Sequence, residues 1–299
     1  MKIPNLFLVG APKCGTTSLY RYLRQHPEIY MSGIKEPHFF GSDLGSDKYI
    51  RNEKEYLSLF SSRQDERIVG EASVYYLYSE QAAREIHAFN QASRIIIMLR
   101  NPVDMICSLH SQAVSSGNED IIDFSDALDA EGDRRLQRRI PDIADFPQGL
   151  LYSDIASYPQ QVIRYLERFG DRQVHVILFE DFVDSPARIF RETLEFLSLE
   201  DCEFQVNFDT ENPNRRLRSV GLEHYLKRRT GIRSTMKRIS PSVYSSMYSV
   251  FHRLNAVISR RQEMDPHLRA SLCDVFEPDV LELSEIIGRD LTSWMNKPT

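Results

Sequence analysis

Residues 5–18 read NLFLVGAPKCGTTS, an apolar run followed by a glycine-containing turn and a helix-like stretch. The run at 6–9 predicts a buried strand, and residues 16–26 predict a helix that begins directly after the turn. A strand that leads through such a turn into a helix N-terminus brings backbone N–H groups together and favours an anion. These residues therefore predict a phosphate-binding loop.

The position of the cation separates this loop from that of nucleotide hydrolases. Those enzymes place Lys directly after the second glycine, followed by Ser or Thr. Here Thr16 holds that position and Lys13 lies inside the turn, so the loop keeps the phosphate cradle but moves the cation. It also lacks the usual arrangement for placing Mg²⁺ between phosphates. The alternative is an ordinary strand–turn–helix junction of an α/β protein, which has a similar pattern.

A second motif occupies residues 94–108, RIIIMLRNPVDMICS. The apolar run at 95–99 predicts a central parallel strand, and Pro102 is a favoured first residue of the helix that follows. Arg100 stands at the carboxyl end of this strand, where open α/β sheets bind ligands, and its fork of donors suits a phosphate dianion. Ser108, two turns into the helix, adds a hydroxyl. A kinase or ATPase would need an acid at the strand end to hold Mg²⁺. The alternative role of Arg100 is a salt bridge that ends the strand.

The two motifs together resemble the donor-binding motifs of sulfotransferases, which use 3′-phosphoadenosine 5′-phosphosulfate (PAPS). The chain looks most like the Golgi heparan-sulfate enzymes and their bacterial relatives. The resemblance implies adenosine 3′,5′-bisphosphate as a product and no required metal. It also implies that Lys13 contacts the bridging and sulfuryl oxygens and that Arg100 and Ser108 hold the 3′-phosphate. The residues implied around the 5′-phosphate are Cys14, Gly15, Thr16, Thr17 and Ser18.

The segment 35–40, KEPHFF, resembles the Glu-x-His-Phe-Phe segment of the heparan-sulfate 3-O-sulfotransferases. In that family the glutamate is the proposed catalytic base, so the resemblance implies that Glu36 takes the proton from the acceptor. His38 is then a second candidate base or a hydrogen-bond partner of the acceptor. The alternative is a proline-containing loop that displays a solvated Glu36 and buries Phe39 and Phe40.

The segment 70–76, GEASVYY, departs from the family pattern. The heparan enzymes have an active-site Lys where this chain has Ala72, so heparan-like contacts to the acceptor do not carry over at this position. Glu71 is a further candidate catalytic residue, which would orient Lys13 or contact the acceptor. It is equally well explained as a structural acid at a strand end.

A basic segment follows at residues 212–262, with 12 Lys and Arg residues against one acid. Bacterial relatives often have a Pro-Arg-Ser sequence here that approaches the donor phosphates, which implies Arg216, Arg218 and Ser219 as donor-binding residues. The segment predicts a helical subregion. Three roles of this segment stay open. Its basic residues lie on solvated helix faces, or the segment covers the donor phosphates and an anionic acceptor, or it touches an anionic membrane surface.

The composition is that of a globular catalytic domain. The 299 residues are 41% hydrophobic and 27% charged, and the net charge of −6 argues against a general nucleic-acid binder. The four cysteines have neither paired nor metal-like spacing, which favours reduced thiols. The first apolar run is short and interrupted by Pro4, and no stretch has the length of a membrane span. We expect a cytoplasmic catalytic domain without an anchor; the oligomeric state is open.

Alternating elements predict one α/β domain over residues 1–299, with a central parallel sheet, helices on both faces and a C-terminal helical segment. Besides those above, the predicted elements are an irregular stretch at 30–48, strands at 67–72 and 174–179, and helices at 53–60, 79–90, 153–169, 186–197, 266–276 and 278–287. The predicted function is sulfuryl transfer to a hydroxyl or amine of a carbohydrate-like acceptor. The alternatives are sulfation of a secondary metabolite or lipid, and a kinase-like or non-catalytic nucleotide-binding module.

Overall fold

The computed structural model describes residues 3–46, 48–142, 144–199, 206–208 and 264–296, together with the backbone of 215–217 and 256–258. The chain divides into two compact units. The first comprises Met1–Ile106, Ser153–Glu211 and Arg269–Thr299, and the second comprises Cys107–Tyr152 and Asn212–Leu268. One domain over residues 1–299 stays a prediction.

The first unit is built on a parallel sheet of five strands, which confirms the predicted fold class. The order is β2-β3-β1-β4-β5. The strands are β1 (Leu6–Gly10), β2 (Ile29–Met31), β3 (Ile68–Ala72), β4 (Arg94–Leu99) and β5 (Val174–Leu178). Every residue of β1 and β3 is buried, as is β4 beyond Arg94, because a parallel sheet is covered on both faces.

Helices surround this sheet. They are α1 (Thr16–Leu23), α2 (Glu53–Ser58), α3 (Ala82–Phe89), α4 (Pro102–Ser115), α7 (Tyr152–Ala156), α8 (Tyr158–Phe169), α9 (Phe179–Asp184), α10 (Pro186–Phe196) and α11 (Pro266–Ile287). In α8 the buried residues Tyr158, Val162, Tyr165 and Phe169 form one stripe at helical spacing. Gly170, with φ 72°, ends that helix. None of the helices in the described part of the chain is both long and apolar enough to cross a bilayer.

Among the elements around the five-stranded sheet, three predictions differ from the structure, and prolines are involved in two of the differences. The helix predicted over 153–169 is divided into α7 and α8, because Pro159 in the first turn of α8 lacks the N–H that would continue α7. The two helices predicted at 266–276 and 278–287 form a single helix, α11, which contains Pro278. It stays continuous because Phe276 and Val280 are buried on either side of that proline. The third difference is β2, which overlaps the beginning of the stretch at 30–48 that was predicted to be irregular.

The second unit contains α5 (Phe124–Asp129), α6 (Glu131–Arg135), a short 3₁₀ helix (Pro147–Leu150) and the antiparallel strands β6 (Arg215–Leu217) and β7 (Ala256–Ile258). Glu119 and Arg134 form an ion pair of 2.7 Å with both side chains at most 1% exposed. The hydroxyl of Tyr152 donates to the other carboxylate oxygen at 2.7 Å. Within the basic segment 212–262, β6 and β7 are strands rather than the predicted helix, and the rest up to residue 263 lies outside the described residues.

Candidate functional site

The predicted phosphate loop lies at the carboxyl end of β1 and leads directly into α1. The N–H of Ala11 donates to the carbonyl of Met98 at 2.7 Å, so the loop leaves the sheet beside β4. Gly15 precedes α1 with φ 87°, and a Cβ there would lie 3.2 Å from the rings of Phe179 and Phe182. Among the described residues, no side chain caps the N-terminus of α1. Its first N–H groups therefore suit an anion.

Lys13 and Cys14 occupy the middle of the loop. Lys13 is half-buried and has a left-handed backbone, with φ 64°. The Cys14 thiol is fully buried and donates to the carbonyl of Pro12 at 3.3 Å. Burial raises the pKa of Cys14 to about 12, although the charges of Arg100 and Lys13 act in the opposite direction. The thiol is therefore protonated at neutral pH and is no nucleophile. Thr16 is buried, whereas Thr17 and Ser18 are half-buried on the first turn of α1.

Arg100 follows β4 and is half-buried. Its guanidinium carbon lies 4.6 Å from the centroid of the Phe179 ring, at the beginning of α9. The next residue, Asn101, fixes the start of α4, since its side-chain oxygen accepts from the N–H of Val103 at 3.0 Å. Arg100 and the phosphate loop thus share the carboxyl edge of the sheet, as predicted.

The other predicted donor-binding residues belong to the second unit or to undescribed parts of the chain. Ser108 is a buried residue of α4 and belongs to the second unit, so its contact with a 3′-phosphate stays a prediction. Arg216 contributes backbone to β6. Arg218 and Ser219 lie outside the described residues.

The loop at 36–40 lies against the carboxyl end of β3, where the N–H of Glu36 donates to the carbonyl of Ala72 at 2.8 Å. The Glu36 carboxylate is 40% exposed, pairs with the ammonium group of Lys35, and lies 3.9 Å from Nε2 of His38. Burial alone would raise the pKa of Glu36, but the nearby His38 imidazole and the charge of Lys35 lower it to about 2. The carboxylate is therefore ionised, as a proton acceptor must be.

His38 lies beneath Glu36 and is only 2% exposed. Its ring centroid is 4.3 Å from that of Tyr49, and burial lowers the pKa of His38. Its Nδ1 atom is buried without a hydrogen-bond partner among the residues that the structure describes. The alternative interpretation of this loop is met in part: Glu36 is partly exposed and Phe40 is buried, but Phe39 is only half-buried.

Arg51 holds the same loop and was missed by the sequence analysis. Its guanidinium donates to five backbone carbonyls at distances between 2.5 and 3.3 Å. These carbonyls belong to His38, Phe39, Phe40, Gly41 and Leu44. Nothing in the local sequence marks this arginine, since the loop folds around it from the preceding residues.

Glu71, a predicted catalytic candidate, is fully buried in β3. Its carboxylate accepts hydrogen bonds from the hydroxyls of Ser73 at 2.6 Å, Tyr56 at 2.9 Å and Tyr76 at 2.9 Å. Burial raises the pKa of Glu71 to about 7, although these hydrogen bonds lower it. The contacts match the alternative of a structural acid. An interaction with Lys13 or with the acceptor stays a prediction.

The phosphate loop and the loop at 36–40 are linked through β1. The N–H of Ser73 donates to Leu8 at 3.1 Å and that of Leu77 donates to Val9 at 2.8 Å, so the turn after β3 is bound to the end of β1. At Gly10 a Cβ would lie 2.6 Å from Cβ of Leu77. No residue larger than glycine fits there without displacing that turn.

Within the described part of the chain, no group of three or more His, Cys, Asp or Glu side chains could hold a metal ion.

Comparison with known proteins gives a consistent result. Residues 4–207 match a family model described as the sulfotransferase domain. A solved sulfotransferase from Alicyclobacillus acidocaldarius is 32% identical, with a TM-score of 0.75 over 99% of this chain and 100% of that one.

Two human proteins are among the relatives in sequence. Carbohydrate sulfotransferase 15 is 27% identical, over 66% of this chain and 44% of that protein. Heparan sulfate glucosamine 3-O-sulfotransferase 6 is 34% identical, over 38% of this chain and 32% of that protein. The chain therefore spans less than half the length of these two relatives.

Proposed function

Because the chain belongs to the sulfotransferase domain family, we propose that it transfers a sulfuryl group from PAPS to a hydroxyl or amine of a carbohydrate. The observation that carries the proposal is the loop between β1 and α1, which joins Lys13 to a helix start that no described side chain caps. Arg100 lies at the same edge of the sheet. This combination suits a ligand with two separate phosphate groups.

The residues present fit PAPS, which would supply an activated sulfuryl group when bound. Lys13 would stabilise charge on the bridging oxygen, and the N–H groups of Gly15 and Thr16 would hold the 5′-phosphate. Arg100 would hold the 3′-phosphate, with Ser108 as its proposed partner. Positioning and electrostatic stabilisation are the main contributions in related group transfers, and Lys13 supplies a positive charge without a metal.

On the acceptor side, Glu36 would remove the proton of the attacking group. Its carboxylate is ionised and therefore able to accept a proton, and it is partly exposed, so an acceptor can approach it. His38 is buried with a lowered pKa, so we propose that it supports Glu36 as a neutral hydrogen-bond partner. The carbohydrate class rests on the names of the human relatives. Ala72 adds no cation for an anionic glycan.

Calorimetry with adenosine 3′,5′-bisphosphate tests the donor site. We expect the protein to bind this product equally well with and without Mg²⁺ and more tightly than ATP with Mg²⁺. A preference for ATP with Mg²⁺ would show that the site is kinase-like. A transfer assay with ³⁵S-labelled PAPS and a panel of glycan, lipid and phenolic acceptors then tests the carbohydrate class. Label on lipid or phenolic acceptors alone would contradict it.

Substitution of Lys13 tests the cation of the loop. Lys13→Ala should lower the transfer rate by about 10²–10³-fold with little change in the melting temperature, because a charge-stabilising donor is lost from the reacting oxygens. Lys54→Ala is the matched control, since it removes an equal charge from an exposed position of α2. A rate close to that of the wild type in Lys13→Ala would remove this residue from the mechanism.

A further inference from the structure

Two of the hydroxyls that donate to Glu71 also hold the backbone of the loop at 36–40. Oγ of Ser73 accepts the N–H of His38 at 3.1 Å, and Oη of Tyr76 accepts the N–H of Phe40 at 3.2 Å. Each hydroxyl therefore links the buried carboxylate to one backbone N–H of the loop. All three side chains of this network, Glu71, Ser73 and Tyr76, are 0% exposed.

The carboxylate determines the direction of these hydrogen bonds. A hydroxyl has a single proton, and the Glu71 carboxylate, in the ionised form that it takes above about pH 7, can only accept. With both hydroxyl protons directed at Glu71, the oxygens of Ser73 and Tyr76 keep their lone pairs for the N–H groups of His38 and Phe40. Reversing one of these hydrogen bonds would leave a buried donor or acceptor without a partner, which costs much free energy. The arrangement with both hydroxyl protons on Glu71 is therefore strongly favoured.

The loop needs such support because its backbone is strained. Glu36 and His38 have φ values of 62° and 47°, in the left-handed region that residues with a side chain rarely adopt. Conformations of this kind persist only when the surrounding contacts determine them. At every second residue of the loop a backbone N–H is bound: that of Glu36 donates to Ala72, that of His38 to Ser73 and that of Phe40 to Tyr76.

We propose that Glu71 is a positioning residue whose buried carboxylate, through Ser73 and Tyr76, holds Glu36 and His38 in the conformation used for proton removal. The catalytic part of this proposal rests on the proposed function. The structural part does not, since the contacts of Glu71, Ser73 and Tyr76 are the same for any acceptor. Glu71 touches no reacting group in this scheme and acts only through the loop.

The test is Glu71→Gln, which keeps the size of the side chain but replaces one acceptor oxygen by a donating NH₂ group. At least one hydroxyl proton then loses its acceptor, since Ser73 donates to one carboxylate oxygen and Tyr56 and Tyr76 donate to the other, and the loop is released. At about pH 8, where Glu71 of the wild type is ionised, we expect faster hydrogen exchange at residues 36–40, measured by mass spectrometry, and a kcat lowered by roughly 10²-fold, since small misplacements cost this much. Binding of adenosine 3′,5′-bisphosphate should be unchanged, because the network does not include the phosphate loop.

Tyr56→Phe is the matched control. It removes a hydrogen bond to the same carboxylate, but the Tyr56 hydroxyl accepts none of the described N–H groups of the loop. A purely structural Glu71 predicts equal effects of the two variants on kcat and on exchange at 36–40, and that result would overturn the proposal. Unchanged exchange in Glu71→Gln would overturn it as well.

Ser73→Ala keeps the inference testable if Glu71→Gln does not fold. It retains the carboxylate and removes only the link to His38, so exchange at 36–40 should still rise and kcat should still fall. If the wild type transfers no sulfuryl group to any acceptor, the proposed function fails. The exchange measurements then decide the positioning role by themselves.

Discussion

Glu36 and Glu71 are two carboxyl groups of one site whose surroundings shift their pKa values in opposite directions. For Glu36, His38 and Lys35 outweigh burial and lower the pKa to about 2. For Glu71, burial outweighs three hydroxyl hydrogen bonds and raises the pKa to about 7. Opposed shifts of this kind divide the roles of two acids. Glu36 is always ionised near neutral pH, whereas Glu71 changes its charge there.

The raised pKa of Glu71 predicts a pH dependence of stability. Between pH 4.5 and about 7 the folded protein retains a proton that the unfolded chain has lost, so the resulting stabilisation is complete below pH 4.5 and disappears as pH rises through about 7. Glu71→Gln lacks this group. The melting temperature of the wild type, relative to this variant, should therefore fall from about pH 5 to pH 8.

Glu36→Gln is the control for that measurement. Because the pKa of Glu36 is lowered to about 2, its contribution to stability changes with pH only between about pH 2 and 4.5. That contribution is therefore constant from about pH 5 to pH 8. A difference between the wild type and Glu71→Gln that does not change with pH would show that the pKa of Glu71 is not raised in the folded protein.

At the scale of elements, the loop after residue 36 is organised from both sides of its backbone. Ser73 and Tyr76 bind its N–H groups, and Arg51 binds five of its carbonyls. A loop held this way behaves as a fixed part of the scaffold, although it contains neither helix nor strand.

Arg51→Met should release the carbonyl side of this loop. We expect a loss of about 1–2 kcal/mol in the free energy of unfolding, because the side chain is partly exposed and water replaces some of the hydrogen bonds. Transfer should slow as well, with donor binding unchanged. Urea unfolding and the labelled-donor assay measure the two effects. Arg84→Met, on an exposed position of α3, is the control, and equal losses in both variants would contradict the role of Arg51.

The elements that sequence could predict are those whose pattern is local. The continuous apolar runs of β1 and β4 identified both as buried parallel strands, with the phosphate loop and Arg100 at their carboxyl ends. Strand β2 has only three residues and is stabilised by its pairing with β3, which no local pattern records. The prediction divided helix α11 at Pro278 because a proline in the sequence ordinarily ends a helix. The packing that keeps this helix continuous depends on distant parts of the chain and is not visible in the local sequence.

The candidate site shows the same division. Lys13 and Glu36 were predicted because each belongs to a short contiguous motif. Arg51 was missed, and Ser73 and Tyr76 were not recognised as supports. Their contribution is a set of hydrogen bonds between distant parts of the chain, which depends on the folded backbone rather than on spacing.

At the scale of the whole molecule, the second unit has its own internal support in the ion pair of Glu119 and Arg134. Arg134→Met leaves the buried carboxylate without its counter-charge and should lower the free energy of unfolding by about 3–5 kcal/mol. Arg188→Met, which breaks a solvent-exposed pair with Glu192, should cost less than about 1 kcal/mol. Chemical denaturation compares the two, and similar losses would show that burial adds nothing to the Glu119–Arg134 pair.

The close contact at Gly10 has a consequence for engineering new acceptor preferences. The strand that delivers the phosphate loop and the turn that carries Ser73 and Tyr76 meet there with no space for a methyl group. The phosphate loop and the loop at 36–40, to which we assign the donor and the acceptor, are therefore not exchangeable modules. A chimera that imports the loop at 36–40 and the turn after β3 from a relative must import the matching β1 with them, or both loops lose their alignment together.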